Sequence, residues 1–245
     1  MIAFRNVHKA FGDKAILCGL DLEVRDGETL VMLGYSGTGK SVALKHIVGL
    51  LAPDEGEVEV DGRVVHELDR DGLASLRATI GYVFQFSALF DSMNVYENLA
   101  LGLRRQGLSD AAIGQRVEEA LALVQLPETE RQYPAELSGG MRKRVGIARA
   151  IALRPRYILY DEPTTGLDPV TSAVIDQLMV RTRQRLGVTG VVVTHDLRSA
   201  YTVGDRIAML YQGRIRQIGT VEEIQRSHDP VVRQFIEGRP EAAGA

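Results

Sequence analysis

The chain has 245 residues and a mass of 26.9 kDa, enough for one large domain with its own core. Its net charge of -3 gives no footprint of nucleic-acid binding, and its single cysteine, Cys18, excludes an internal disulfide and suits a reducing compartment. No apolar run approaches the ~20 residues that cross a bilayer, and no signal peptide is recognisable, so the sequence predicts a cytosolic chain or one held at a membrane by a partner.

The first segment is predicted to contribute an antiparallel β-layer. Residues 2–7 and 16–24 have the pattern of short strands, with a turn signal at residues 12–13. Residues 56–65 alternate apolar with polar and break at residues 61–62, which is a hairpin signal. In the sequence, the strands of this layer therefore lie both before and after the segment at 28–51.

Residues 34–41 have the spacing G-x-x-x-x-G-K-S of a phosphate-binding P-loop. An apolar run at 28–33 predicts a buried strand before it, and apolar residues at helical spacing over 42–51 predict a helix after it. The glycines let backbone N–H groups turn toward an anion, and the helix dipole adds to the attraction. Lys40 is predicted to reach the β- and γ-phosphates and Ser41 to ligate Mg²⁺. The chain is predicted to bind a nucleoside triphosphate.

Three single residues beside predicted turns or strand ends allow two interpretations each. Phe11 precedes a turn, where an exposed ring could stack on a purine base, although a lone phenylalanine is more often core. Gln85 follows the strand predicted at 80–84 and could ligate Mg²⁺ or orient water, or be an ordinary loop residue. His195 ends the strand predicted at 190–194 and is either structural or, beside a γ-phosphate, functional.

The middle of the chain is predicted to be helical. Residues 87–103 are unusually apolar for a connector, and they either pack inside a helical subdomain or present an apolar face to a partner. Residues 109–125 predict an amphipathic helix capped by Ser109. The residues of its apolar face are Ile113, Val117, Leu121 and Val124.

A second anion-binding helix start is predicted at 137–141, with the sequence L-S-G-G-M. Ser138 is a good N-cap, and Gly139 and Gly140 would leave the first helical N–H groups sterically bare. The next three residues, Arg142, Lys143 and Arg144, place positive charge where it opposes the helix dipole. Either an anion relieves this conflict, or the helix is an ordinary capped surface helix with solvated charges.

Residues 157–163 predict an apolar strand that ends in two acids. Asp161 is predicted to hold Mg²⁺ through water, and Glu162, on the alternate face, to take the attacking water. A turn at 164–169 leads to a helix predicted at 170–186.

The C-terminal part is predicted to contain a hairpin and a short helix. Strands at 207–210 and 214–218 would form the hairpin, and the helix covers 231–236. Residues 238–245 are predicted to be a frayed tail.

In this order, the motifs resemble those of the nucleotide-binding subunit of ATP-binding cassette (ABC) transporters, over essentially the full length. The resemblance implies catalytic roles for Glu162, His195, Gln85 and Lys40. It implies ATP contacts from Phe11, Gly34, Tyr35, Ser36, Gly37, Thr38, Gly39, Lys40, Ser41, Ser138, Gly139, Gly140 and Asp168. It implies Mg²⁺ ligands at Ser41, Gln85 and Asp161.

The same resemblance implies the fold. We expect an α/β P-loop NTPase core with a mostly parallel sheet flanked by helices, an antiparallel β-subdomain and an inserted α-helical subdomain. The whole of 1–245 would be one domain, with the core at 1–86 and 156–245 and the helical signature subdomain at 87–155.

The family fold also implies a homodimer, in which each signature helix caps the ATP on the partner's P-loop. Met141 stands where glutamine is common in the family. It removes a possible polar contact to the ribose, and we expect activity to remain because the Ser138 hydroxyl and the backbone donors are kept.

A narrower resemblance is to the ATPase of MCE-type (Mla-like) phospholipid transport systems, carried by residues 37–42, 88–98, 141–144 and 229–236. It implies a membrane permease contacted through residues 87–101, an MCE-type lipid-binding protein in the complex, and a location on the cytoplasmic face of the inner membrane. The alternative among transporters is import of a polar solute.

Other classes of ATPase fit the sequence less well. A DNA-repair cassette would carry a coiled-coil insertion between Lys40 and Leu137, and no heptad run occurs there. A translation-type cassette protein would normally carry two cassettes, and a P-loop kinase or GTPase would lack L-S-G-G and the histidine.

Overall fold

The computed structural model describes residues 1–239, which form two compact units, residues 1–73 with 191–239 and residues 74–190. Residues 240–245 of the predicted tail lie outside the described part. The strands are β1 (Ile2–Phe11), β2 (Lys14–Val24), β3 (Thr29–Leu33), β4 (Glu55–Val60), β5 (Arg63–Val64), β6 (Ile80–Val83), β7 (Tyr157–Asp161), β8 (Thr189–Thr194), β9 (Arg206–Tyr211) and β10 (Arg214–Thr220). The helices are α1 (Lys40–Ile47), α2 (Arg70–Ala78), α3 (Val95–Arg105), α4 (Asp110–Leu123), α5 (Gly139–Ala152), α6 (Pro169–Leu186), α7 (Leu197–Val203), α8 (Val221–Gln225) and α9 (Pro230–Ile236).

The first unit contains an antiparallel sheet in the order β2-β1-β4-β5. Phe4 pairs with Leu22 on one side and Val58 on the other, and all three side chains are buried. Asp61 and Gly62 join β4 to β5 with left-handed backbones, at φ 52° and 73°, which is the geometry of a tight hairpin turn. The hairpin predicted at this point is therefore confirmed.

A buried strand, β3, positions the P-loop in the same unit. The strand order is β10-β9-β3-β8, and β3 lies parallel to β9. Every residue of β3 is buried, and the four residues 30–33 are all apolar, as expected for a strand that is covered on both faces. Residues 34–39 connect the end of β3 directly to α1, so the strand, glycine loop and helix predicted from the sequence are all present.

The second unit combines a parallel strand pair with packed helices. β6 lies parallel to β7, from the pair Ile80 and Tyr157 to the pair Val83 and Tyr160. α3, α4 and α5 pack against one another. Apolar residues buried on these helices include Leu99, Leu103, Val117, Leu121, Val145 and Ala148. The amphipathic helix predicted at 109–125 is α4, and its N-cap is Ser109, whose hydroxyl accepts a hydrogen bond from the Ala112 N–H at 3.4 Å.

The apolar connector predicted at 87–103 divides into a buried and an exposed part. α3 buries Val95, Leu99 and Leu103, so the core-packing interpretation is confirmed for the helix. Phe90 before the helix is half exposed, and the neighbouring Phe86 is 85% exposed. An apolar surface therefore remains on the outside of this unit.

Three helices, α2, α7 and α8, were not predicted from the sequence. α7 has only seven residues, too few to show a repeated apolar spacing. α2 buries only Leu76, and α8 buries only Ile224, so neither carries the repeated apolar spacing that identifies a helix. None of the helices within residues 1–239 has the length and apolar character needed to span a bilayer.

Candidate active site

The P-loop has a backbone that requires glycine. Gly37 and Gly39 adopt left-handed conformations, with φ of 79° and 104°. A Cβ atom on Gly39 would lie 2.9 Å from Ile16 Cγ2, and one on Gly34 would lie 2.5 Å from the Leu210 carbonyl oxygen. Gly39 is also the N-cap of α1 and supplies no side chain to the helix N–H groups. The start of α1 can therefore offer those N–H groups to an anion.

Lys40 is buried and folds back into its own loop. Its ammonium donates to the carbonyl oxygens of Gly34 at 2.8 Å and Tyr35 at 2.9 Å. The Thr38 hydroxyl donates to the same Tyr35 oxygen at 2.9 Å. A cation inside a ring of backbone groups, at a helix start, fits a polyphosphate. Ser41 follows directly, half-buried in the first turn of α1.

The first unit brings His195 close to the P-loop. A cleft of about 460 Å³ is lined by Tyr35, Ser36, His195, Asp196 and others. The Asp196 carboxylate accepts hydrogen bonds from the first N–H groups of α7 and so fixes the turn after β8. The imidazole is exposed at this turn.

Phe11 is not part of the core. It ends β1, just before the left-handed Gly12, and 49% of its surface is exposed. The Lys9 ammonium lies 5.8 Å from the centre of its ring, a cation–π contact. The core interpretation of Phe11 is therefore wrong, whereas the base-stacking role stays a prediction.

In the second unit, Asp161 is the last residue of β7, and its carboxylate is buried and oriented by Tyr82. The Tyr82 hydroxyl donates to Asp161 Oδ2 at 3.1 Å, and the ring of Tyr82 stacks on Phe84 with centroids 4.3 Å apart. Burial raises the pKa of the Tyr82 phenol well above its usual range, and the Asp161 charge raises it further. Tyr82 is therefore a permanent hydrogen-bond donor to the acid, and sequence reasoning missed it.

Glu162 lies outside the strand, which ends one residue earlier. Its φ of 48° is left-handed, so the alternation argument that placed its side chain on the opposite face does not apply. The turn after the strand sets its direction instead. The Thr165 hydroxyl donates to Glu162 Oε2 at 3.2 Å, and the Thr165 N–H donates to the Glu162 carbonyl oxygen at 3.3 Å. Only 8% of Glu162 is exposed.

Gln85 begins a loop with unusual backbone conformations. Ser87 and Ala88 are both left-handed, with φ of 62° and 47°, although neither is glycine. The Arg149 guanidinium on α5 donates to the carbonyl oxygens of Ser87 at 2.8 Å and Ala88 at 2.6 Å. Lys143, also on α5, donates to the carbonyl oxygen of Gln85 itself. The helix thus supplies three donors to this one loop.

The start of α5 is capped as predicted, since the Ser138 hydroxyl accepts from the Met141 N–H at 3.2 Å. Gly139 is open, but a Cβ atom on Gly140 would lie 2.6 Å from Thr171 Cγ2. Packing against Thr171 is therefore a second reason for glycine at position 140, and the expectation that both glycines leave the helix N–H groups bare stays a prediction.

The three basic residues at this helix start all donate hydrogen bonds to backbone carbonyl oxygens. Arg142 donates to the Leu137 carbonyl oxygen at 2.6 Å, and Arg144 donates to the Gln125 carbonyl oxygen at 3.1 Å. Lys143 is buried and donates to the carbonyl oxygens of Gln85 and, at 3.5 Å, Glu162. The interpretation as solvated charges is therefore wrong for Lys143, whereas the anion at this helix end stays a prediction. Burial lowers the pKa of the Lys143 ammonium, and the carboxylates of Glu162 and Asp161 oppose this shift.

Asp168 is the N-cap of α6. Its Oδ1 accepts from the N–H groups of Val170 and Thr171 at 2.9 and 3.0 Å, and its Oδ2 accepts from the Thr171 hydroxyl at 2.5 Å. The bond from the Thr171 hydroxyl lowers the pKa of this exposed carboxyl. Capping of α6 is a structural reason for an aspartate at this position. The contact of Asp168 with ATP stays a prediction.

The structure thus brings the predicted residues together in two groups. Within the first unit, the P-loop and His195 share a cleft, and within the second unit Gln85 and Glu162 share the Lys143 ammonium. No group of three or more histidine, cysteine or acidic side chains that could hold a metal occurs among residues 1–239. The predicted Mg²⁺ ligands Ser41, Gln85 and Asp161 offer only oxygen atoms, the ligand type that Mg²⁺ prefers when phosphates complete its shell.

Comparisons with known proteins agree with this geometry. The family model for the ABC transporter matches residues 17–165. The chain is 43% identical to the probable ribonucleotide transport ATP-binding protein mkl of Mycobacterium tuberculosis, over 97% of this chain and 67% of the relative. It is 41% identical to the protein TRIGALACTOSYLDIACYLGLYCEROL 3, chloroplastic, of Arabidopsis thaliana, over 97% of this chain and 74% of the relative. It is also 41% identical to the methionine import ATP-binding protein MetN of Xylella fastidiosa, over 96% and 72%.

Solved structures show the same fold. The ATP-binding cassette MJ0796, in a dimeric post-hydrolysis state bound to ADP and Pi, has a TM-score of 0.82 and 36% identity, and covers 90% of this chain and 99% of that chain. The cbiO1 protein from Clostridium perfringens has a TM-score of 0.85 and 28% identity, and covers 96% and 94%. The predicted α/β P-loop fold and the predicted ATPase activity are thereby confirmed. The chain belongs to the ABC transporter family, as an ATP-binding subunit that hydrolyses ATP.

Proposed function

We propose that this ATPase powers movement of a phospholipid between membranes, as part of an MCE-type transport complex at the cytoplasmic face of the inner membrane. The resemblance of residues 88–98 and 141–144 to the MCE-type ATPases supports the substrate class. The Arabidopsis relative, whose name contains that of a glycolipid, is consistent with it. The exposed aromatic surface of Phe86 and Phe90 supports a membrane-protein partner that docks in this region.

The observation that carries the catalytic assignment is the environment of Glu162. A buried carboxylate, held at both its backbone and its side chain by Thr165, is a preorganised acceptor for the attacking water. Phosphoryl transfer leaves a protein mainly to orient that water and stabilise charge. Lys40 and the N–H groups of α1 are proposed to bind the phosphates, and His195 to steady the γ-phosphate from its cleft with Tyr35 and Ser36.

Mg²⁺ is proposed to accompany ATP, held by Ser41, Gln85 and Asp161 together with phosphate oxygens. When bound, the ion neutralises charge that develops on the transferred phosphoryl group. Ser41, Gln85 and Asp161 are proposed to hold their oxygen ligands in fixed positions. The hydrogen bond from Tyr82 does this for Asp161.

Two copies of the chain are proposed to assemble head to tail, so that the start of α5 closes over the ATP of the partner. Ser138 as N-cap and the open Gly139 leave this helix end accessible in the single chain. The dimeric structure of MJ0796 supports this arrangement. We retain the proposal that residues 87–155 act as the helical signature subdomain, with residues 87–101 touching the permease.

The second candidate function is import of a polar solute. It is favoured by the relatives named for methionine import and ribonucleotide transport, which are about as similar to this chain as the Arabidopsis relative. Because the substrate site of a transporter lies in its membrane subunit, the permease that binds this chain distinguishes the two functions.

The test begins with the membrane protein that copurifies with this chain, reconstituted in vesicles. We expect ATP-dependent transfer of labelled phospholipid to acceptor vesicles, abolished in the Glu162→Gln variant. Copurification with a solute-type permease and a soluble amino-acid- or sugar-binding protein would contradict the lipid assignment. Disulfide crosslinking from Leu89→Cys or Met93→Cys to the permease tests the docking region, with the exposed Arg131→Cys as a matched control.

A further inference from the structure

Lys143 is a buried cation that no part of the proposed mechanism uses. It lies one turn into α5, and only 7% of its surface is exposed. Lysine is rarely buried unless its charge and its N–H donors are compensated. The groups that surround the ammonium must therefore compensate its charge and accept its hydrogen bonds.

The ammonium joins two segments that are far apart in the sequence. One N–H donates to the carbonyl oxygen of Gln85, in the loop after β6. Another reaches the carbonyl oxygen of Glu162, after β7, at 3.5 Å. Both carbonyls belong to residues with proposed roles in ATP hydrolysis. Because both contacts are to backbone atoms, they fix the position of the backbone from which each side chain extends.

The backbone of Glu162 needs such support. Its left-handed conformation is disfavoured for a residue with a Cβ atom and persists only where the surroundings impose it. Thr165 supplies one constraint, through its N–H on the same carbonyl oxygen. Lys143 supplies the second, and its positive charge also lies near the carboxylates of Glu162 and Asp161.

We infer that Lys143 is a positioning residue for hydrolysis, which couples the backbone of Gln85 to that of Glu162 and so holds the Glu162 carboxylate where it meets the attacking water. This inference rests on the proposed role of Glu162. It adds that α5, whose first turn is proposed to close over the partner's ATP, also sets the geometry of the base within its own chain.

The test compares Lys143→Met with Arg144→Met. Methionine keeps the apolar stem of lysine and removes the charge and all donors. Arg144 is the matched control, because it lies next along α5 and also donates to backbone carbonyls, those of Val124 and Gln125. We expect Lys143→Met to lower kcat about tenfold or more while the affinity for a fluorescent ATP analogue changes less than about twofold. Arg144→Met should leave both unchanged within about twofold.

A double-mutant cycle separates positioning from a general structural effect. In a Glu162→Gln background the base is already lost, so Lys143→Met should change single-turnover hydrolysis by less than about twofold. An equal loss in both backgrounds, or a fall in ATP affinity as large as the fall in kcat, would overturn the inference. The same two-background criterion applies to Lys143→Gln, which keeps an N–H donor and decides the matter if the methionine variant does not fold.

The cycle also distinguishes this inference from the proposed function. If Glu162→Gln alone retains wild-type turnover, the role proposed for Glu162 fails. If Glu162→Gln lowers turnover and Lys143→Met does not, only the inference about Lys143 fails.

Discussion

The hydroxyl of Tyr82 donates a hydrogen bond to the carboxylate of Asp161 across the parallel strand pair of the second unit. The two residues come from neighbouring strands, β6 and β7, and both are largely enclosed. A metal-ligating carboxylate whose second oxygen is held by such a donor keeps one orientation. Asp161 is therefore prepared for its proposed ion before the ion arrives.

Removing this donor gives the first prediction. We expect Tyr82→Phe to fold normally and to raise the Mg²⁺ concentration for half-maximal ATP hydrolysis about tenfold or more, because the carboxylate loses its orienting partner. A Mg²⁺ titration of turnover and Mn²⁺ binding in the presence of ATP, followed by electron paramagnetic resonance, would measure this. Tyr133→Phe, at an exposed tyrosine of the same unit, is the control. An unchanged Mg²⁺ requirement would remove Tyr82 from the site.

Glu162→Gln gives the second prediction. The amide keeps the shape of the side chain, so we expect ATP to bind as in the wild type while turnover falls by about 10²- to 10⁴-fold. Lys40→Ala should instead weaken binding itself, since the P-loop loses its inward cation. Equilibrium binding of a labelled ATP analogue and steady-state hydrolysis distinguish the two variants. Turnover within about twofold of the wild type would contradict the general-base role.

The third prediction uses the two serine N-caps of the helical part. Ser138 caps α5 and Ser109 caps α4, so alanine at either position should cost about 1 kcal/mol of stability. Only Ser138 is proposed to meet the partner's ATP. We therefore expect Ser138→Arg to block hydrolysis in the assembled transporter and to spare nucleotide binding, with Ser109→Arg active. Normal hydrolysis by Ser138→Arg would argue against the composite site.

The fourth prediction concerns Gly140, whose missing side chain makes room for Thr171. We expect Gly140→Ala to lower the thermal midpoint, because the new Cβ would lie 2.6 Å from Thr171 Cγ2. Adding Thr171→Ser removes that methyl group and keeps the hydroxyl on Asp168, so the double variant should recover the lost stability. If stability returns without activity, Gly140 has a role in the site besides packing. No recovery of stability would show that another contact excludes the side chain.

Local chemistry explains why much of the fold was predictable. The hairpin at Asp61 and Gly62, the cap at Ser109 and the glycine loop at residues 34–41 each depend on residues adjacent in the sequence. Such signals are independent of the remainder of the chain. The exposure of Phe11, by contrast, depends on what packs around the end of β1, and no short pattern contains that information.

The missed features depend on distant partners. The left-handed backbones of Ser87, Ala88 and Glu162 are set by donors from α5 and from the following turn, and none of the three residues is a glycine that would have marked the position. The sequence pattern identifies Lys143 as a positive charge at a helix start, yet its carbonyl partners lie 58 and 19 residues away in the sequence. Sequence spacing indicates a positive charge at this position, but it does not indicate which groups the ammonium contacts.

Arg149 has a consequence for how the loop after Gln85 can move. One guanidinium holds the carbonyls of both Ser87 and Ala88, and each of these residues sits in a conformation that costs about 1–2 kcal/mol. Relaxing one residue would turn its carbonyl away and leave a largely enclosed cation short of an acceptor, which is itself unfavourable. We therefore expect Ser87 and Ala88 to change backbone conformation together and not one at a time. A displacement at Phe86 would then either keep both hydrogen bonds to Arg149 on α5 or break both.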